Sequence, residues 1–166
     1  MASRKGVAIT IAVLVGVAAF AYSLPFLIPE DVTMKIIVSD FEEHLDITKE
    51  KALMEVTSVD ESFEQMINDE ISPNDYISIA EVSSSQINSQ IIELVESEAG
   101  DEWFDSYLNN LESLRKYNSY IMETIVLANL LNDGNSISDQ KELVTKIEQL
   151  KQESIDYANL SLSTRP

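Results

Sequence analysis

His44 is the one histidine of the chain, and Glu42, Glu43 and Asp46 surround it in sequence. An imidazole among carboxylates is a starting point for metal ligation or for a Ser-His-Asp triad. A zinc centre or a paired Glu-x-x-His di-iron site needs further histidines or thiolates, yet the chain has one histidine and no cysteine. A triad would have to use the same His44, in a segment with no strand-turn-helix elbow to present a nucleophile. The expectation is an exposed imidazole on an acidic helix face.

The remaining constellations are poorer still. Glycine occurs only at 6, 16, 100 and 134, so neither a P-loop nor GxGxxG can be written. Around Asp133-Gly134-Asn135, a calcium loop with Gly134 sixth places Asn129 first, Leu131 third and Gln140 twelfth, where calcium requires carboxylates. That segment reads as a turn between helices. The acidic groups Asp40, Glu42, Glu43, Asp46 and Asp60, Glu61, Glu64 read as solvated faces. Catalytic residues, cofactor and metal are all expected to be absent.

Aromatic residues gather in the second half: Trp103, Tyr107, Tyr117, Tyr120 and Tyr157. Such side chains fill a core and its rim, or form a contact patch for a protein partner. Asn118 lies among them on an apolar stripe, where an asparagine fixes helix register or meets a polar group across an interface. Trp103, Tyr107, Tyr117, Asn118 and Tyr120 are therefore the candidate partner-contact residues. Asn159-Leu160-Ser161 forms an N-glycosylation sequon, with Asn159 as acceptor.

The elements that must position these residues are helices. Apolar residues recur at spacings of three and four, with no sustained alternation of period two. The first predicted helix covers 32–70, its stripe running through Val38, Phe41, Leu45, Ala52, Val56, Val59, Phe63 and Met66, with a bend expected at 56–60. Ser72 as N-cap and Pro73 at the first helical position open a second helix, which Gly100 closes. The third runs over 101–132, ending before Gly134. The fourth starts at Ser138 as N-cap, and 161–166 reads as a frayed tail. Short loops between long helices predict an all-α, antiparallel, up-down-up-down four-helix bundle. The rival architecture is a long hairpin or coiled coil completed by a second chain, making a homo-oligomer.

Ahead of the bundle, residues 6–24 carry no charge and apolar residues continue to Ile28. Nineteen residues at about 1.5 Å each cover roughly 28 Å, enough to span a bilayer's hydrocarbon. Arg4 and Lys5 precede the segment and Glu30-Asp31 follow it, so the positive-inside rule sets the N-terminus in the cytoplasm. Ala19-Phe20-Ala21 also offers signal peptidase a small-x-small pattern, but the apolar run is long for a signal peptide and continues past that cut. The expected organisation is a retained transmembrane anchor and exit linker at 1–29, a bundle at 30–160 and a flexible tail at 161–166. The lipid bilayer is then a partner of 6–28, and the protein is single-pass in the cell membrane.

No Asp or Glu occurs before Glu30, so all 29 acidic residues fall after Pro29, where nine basic residues leave a net charge of −20. Such a field repels nucleic acid, which is excluded as a partner. The chain resembles short membrane-anchored helical proteins of uncharacterised role from ammonia-oxidising archaea (Thaumarchaeota). The resemblance rests on Ser3-Arg4-Lys5-Gly6-Val7-Ala8-Ile9-Thr10, on Val38-Ser39-Asp40-Phe41, and on Ile-, Asn- and Ser-rich acidic helices ending in Arg165-Pro166. It implies a pseudo-periplasmic location for the domain and brings no catalytic residues. The functional expectation is a non-enzymatic interaction protein, a scaffold or accessory subunit of a membrane or cell-envelope complex. The alternative is an extracytoplasmic ligand- or metal-binding sensor module that works with a separate receptor.

Overall fold

The computed structural model describes residues 38–166. The expected anchor at 6–28, its linker and the start of the first helix at Val32 lie outside the described residues. Four α-helices follow: α1 (Phe41–Ile67), α2 (Pro73–Glu96), α3 (Phe104–Asn132) and α4 (Lys141–Ser163). Single 3-10 turns, Asp101–Trp103 and Ile137–Asp139, lead into α3 and α4. No strand occurs among the described residues, and no helix there is long and apolar enough to cross a membrane.

Local chemistry sets the boundaries. Asp40 accepts the Glu43 amide at 3.0 Å and opens α1. Residues 56–60 are helical, and Thr57 and Ser62 hydroxyls donate to the carbonyls of Leu53 and Ser58 one turn earlier. Ser72 caps α2 through the Asp75 amide, with Pro73 in the first turn. The far end of α2 corrects the sequence reading. Ser97 already satisfies the Glu93 carbonyl with both its amide and its hydroxyl, and its extended backbone ends the helix. Gly100 instead starts the Asp101–Trp103 turn, at φ −65°. Gly134 does adopt the left-handed conformation that glycine favours, at φ 84°. Ser136, not Ser138, caps the turn before α4.

The helices alternate in direction. Along α3 and α4, Ser106 meets Ser161, Ser113 meets Ser154 and Glu123 meets Lys146, so numbers rise on one helix as they fall on the other. Tyr76 with Thr124 and Ser84 with Asn118 give the same sense for α2 against α3. Tyr117 with Val56 and Tyr120 with Asp60 run in parallel order, as the diagonal pair α1 and α3 must. The core holds Leu45, Val59, Met66, Ala80, Ile87, Leu114, Ile121 and Leu127, all fully or nearly fully buried.

α3 and α4 are drawn together by serine. Ser106 Oγ donates to the Ser161 carbonyl at 2.6 Å, and Ser161 Oγ returns the bond to the Ser106 carbonyl at 2.8 Å. Ser113 Oγ reaches the Ser154 carbonyl at 2.8 Å. A side chain of one heavy atom beyond Cβ touches a neighbouring backbone only if the two helices approach closely. The seven-residue spacing of both pairs keeps them on one seam. The same seam corrects the reading of 161–166 as a frayed tail. Ser161 is buried, α4 continues to Ser163, and Arg165 reaches Asp46 at 2.7 Å.

Ser106→Ala is expected to cost about 1 kcal/mol, the usual net worth of a hydrogen bond. Ser106→Leu, which forces the backbones apart, is expected to cost about 3 kcal/mol or more. Urea unfolding of both variants checks this; equal costs would mean that the seam is not close-packed.

Candidate functional site

The tyrosines occupy the interior. Tyr107, Tyr117 and Tyr120, expected among the contact residues, are no more than 5% exposed, and Tyr76 is fully buried. Their rings supply apolar area, while each hydroxyl needs a partner once water is excluded. Tyr76 donates to Thr124 Oγ1 at 2.5 Å, Tyr117 to the Val56 carbonyl at 3.1 Å and Tyr120 to Asp60 Oδ1 at 2.9 Å. The other Asp60 oxygen takes Lys151 Nζ at 2.8 Å, and that ammonium lies 5.7 Å from the Tyr120 ring centre. Asp60 thus ties α1, α3 and α4 at one point.

His44 overturns its expected exposure: its side chain is 13% exposed, held between two helices. Nε2 lies 3.3 Å from Glu93 Oε1, and Nδ1 lies 2.7 Å from the Tyr107 hydroxyl. A carboxylate only accepts, so Nε2 donates to Glu93, while Nδ1 pairs with the Tyr107 hydroxyl. Lys51 meets the second Glu93 oxygen at 3.4 Å. Phe41 covers this bracket, edge-on to Tyr107 at 5.9 Å and tilted against Trp103 at 6.2 Å. The arrangement binds α1, α2 and α3 at the end where Asp40 opens α1. Sequence position held the clue, since His44 borders the stripe of Phe41, Leu45 and Thr48. Among the described residues no three His, Asp or Glu side chains converge as a metal site.

Asn118 is half-buried, between α2 and α3. Its Oδ1 accepts from Ser84 at 2.7 Å and its Nδ2 donates to Asn88 at 3.2 Å, which fixes the register of these helices. Apolar groups stand exposed on both sides of it. Val95, Phe104 and Leu108 line a depression toward one end, with Glu98 on its wall. Met122 and Val126, 50% and 46% exposed, continue toward the other. Along α3 the stripe Phe104, Leu108, Leu111, Arg115, Asn118, Met122, Ile125 and Asn129 bears no carboxylate, in a chain with 29 of them. Trp103 sits half-buried at the rim, and Asn159 is exposed near the end of α4.

No protein-family model, curated protein or solved structure matches this chain.

Burial pushes the Tyr107 hydroxyl up to about 12, with the Asp40 charge adding to the effect. Burial likewise raises Tyr76, Tyr117 and Tyr120, each with a contribution from Asp60. Between the unfolded value near 10 and these raised values, the folded chain holds more protons than the unfolded one. Stability contributed by the buried phenols is therefore complete below about pH 10 and falls as pH rises beyond it. An alkaline titration is expected to show these four tyrosines ionising together with loss of helix. Ionisation near pH 10 with circular dichroism unchanged would contradict their burial.

Proposed function

We propose that this chain is a non-enzymatic interaction protein, tethered by residues 6–28 and docking its bundle on a protein of the membrane or cell envelope. The outer α2–α3 face carries the reading. It exposes Val95 of α2 and Phe104, Leu108, Met122 and Val126 of α3, beside a line of α3 positions that bears no carboxylate, on a domain that is strongly acidic. Apolar groups grouped on one face are the usual mark of a contact surface, and an arginine among them, here Arg115 held by Glu112, is commonly enriched there. Asn118 lies mid-strip, where a polar group can fix the register of a partner as well as that of α2. His44, the one histidine of the chain, is committed to Tyr107 and Glu93.

Photo-crosslinkers placed at Leu108 and Met122 in native membranes are expected to capture one protein of defined mass. A crosslinker at Glu142, exposed on α4, should capture none. Leu108→Glu alters an already exposed position, and is expected to reduce capture from Met122 roughly tenfold. A chain that crosslinks to nothing and isolates as a monomer in mild detergent contradicts the proposal.

A further inference from the structure

α1 and α4 are joined by two ionic clasps. Asp60 meets Lys151 at 2.8 Å and Asp46 meets Arg165 at 2.7 Å. Along α1 the clasps lie fourteen residues apart, about 21 Å at 1.5 Å per residue, and on the other side they run from Lys151 in α4 to Arg165 just past its end. Between the clasps the backbones of the two helices stand apart, and a slot of about 220 Å³ opens onto α3. Leu53 and Val56 form one wall, Ile155 and Ala158 the other, and Asn110 and Leu114 lie at the floor.

Two features of this slot point to an occupant. Asn110 is 8% exposed, yet its Nδ2 has no hydrogen-bond partner. A buried donor left unpaired is rare enough to require an explanation. Its neighbour Ser113 offers no relief, since that hydroxyl is engaged with Ser154. The second feature is Lys49, exposed at the slot's mouth, one turn before Leu53 and two before Val56. It makes no ion pair among the described residues, a state it shares with Lys141 at the start of α4, whereas Lys51, Lys116, Lys146 and Lys151 each hold a carboxylate.

We infer that the slot binds a small apolar carboxylate, its charge matched by Lys49, its oxygen accepting the Asn110 N–H, and its hydrocarbon lying between Val56 and Ile155. Size agrees, because the slot exceeds the roughly 150 Å³ cavity that holds benzene and falls short of the roughly 300 Å³ at which drug-sized pockets begin. Charge alone cannot bring an anion to a domain of net charge −20. The apolar part must therefore supply attraction, and purely polar anions are excluded. This role is separate from docking on the outer face, which lies on the α2 side of α3.

Benzoate is the probe, titrated against the full-length protein in lipid nanodiscs and followed by saturation-transfer NMR, with empty nanodiscs as the blank. Saturable binding is expected, with benzyl alcohol weaker and benzylamine and acetate not binding. Lys49→Gln, at an exposed position, is expected to weaken benzoate roughly tenfold while leaving benzyl alcohol unchanged. Asn110→Ala should weaken both, and Ala158→Phe, which fills the slot, should abolish both. Absence of saturable benzoate binding overturns the inference, as does binding that Lys49→Gln and Asn110→Ala leave unchanged. Equal binding of benzylamine overturns it too.

Discussion

The distance between α3 and α4 governs this bundle. Serine hydroxyls bonded directly to the opposite backbone, Ser106 with Ser161 and Ser113 with Ser154, allow no larger side chain between the two helices. The other sides of α3 are built differently. Tyr117 and Tyr120 project toward α1 and hold it a full aromatic side chain away, anchored through Val56 and Asp60. Close packing on the α4 side and aromatic spacing on the α1 side leave the backbones of those two neighbours apart. The open α1–α4 slot and its reliance on ionic clasps follow from that asymmetry.

The polar groups inside the bundle strengthen the same hub. A buried phenol stabilises only if its hydroxyl is paired, and a buried imidazole only if both nitrogens are engaged. Here Thr124, Val56, Asp60 and His44 pair the four buried tyrosines, and His44 is itself completed by Glu93. Each bond joins two helices, and together they specify which helix faces which. Asn118 with Ser84 and Asn88 does so for α2 and α3. The Lys151–Asp60 pair is partly exposed, and by itself contributes little. Its importance is positional, since it closes one end of the slot.

Helices and their order were legible from apolar periodicity, and Ser72-Pro73 was legible as a helix start because cap and first-turn chemistry are local. The tyrosines were not, because an amphipathic ring suits a core and an interface equally well, and only tertiary burial separates the two. His44 was misjudged for a similar reason: its acidic neighbours in sequence face solvent, while the ring turns inward to Tyr107. Gly100 and Ser138 misled because Ser97 and Ser136 supplied the caps first. The serine seam is invisible to apolar periodicity, where serine counts as polar. The matched seven-residue spacing of Ser106 with Ser113 and of Ser154 with Ser161 was the available signal.

The proposed function rests on what the hub leaves over. α3 spends one side on α4, one on α1 and part of a third on α2, and its remaining strip, free of carboxylates, faces outward. Native-state hydrogen exchange tests the hub most directly, because it reads the opening free energy of each helix separately. The account predicts slowest exchange in α3 between Ser106 and Thr124 and in the facing turns of α4. α1, held through tyrosines and clasps, should open at lower free energy. Protection equal in all four helices, or α4 opening before α1, would contradict it.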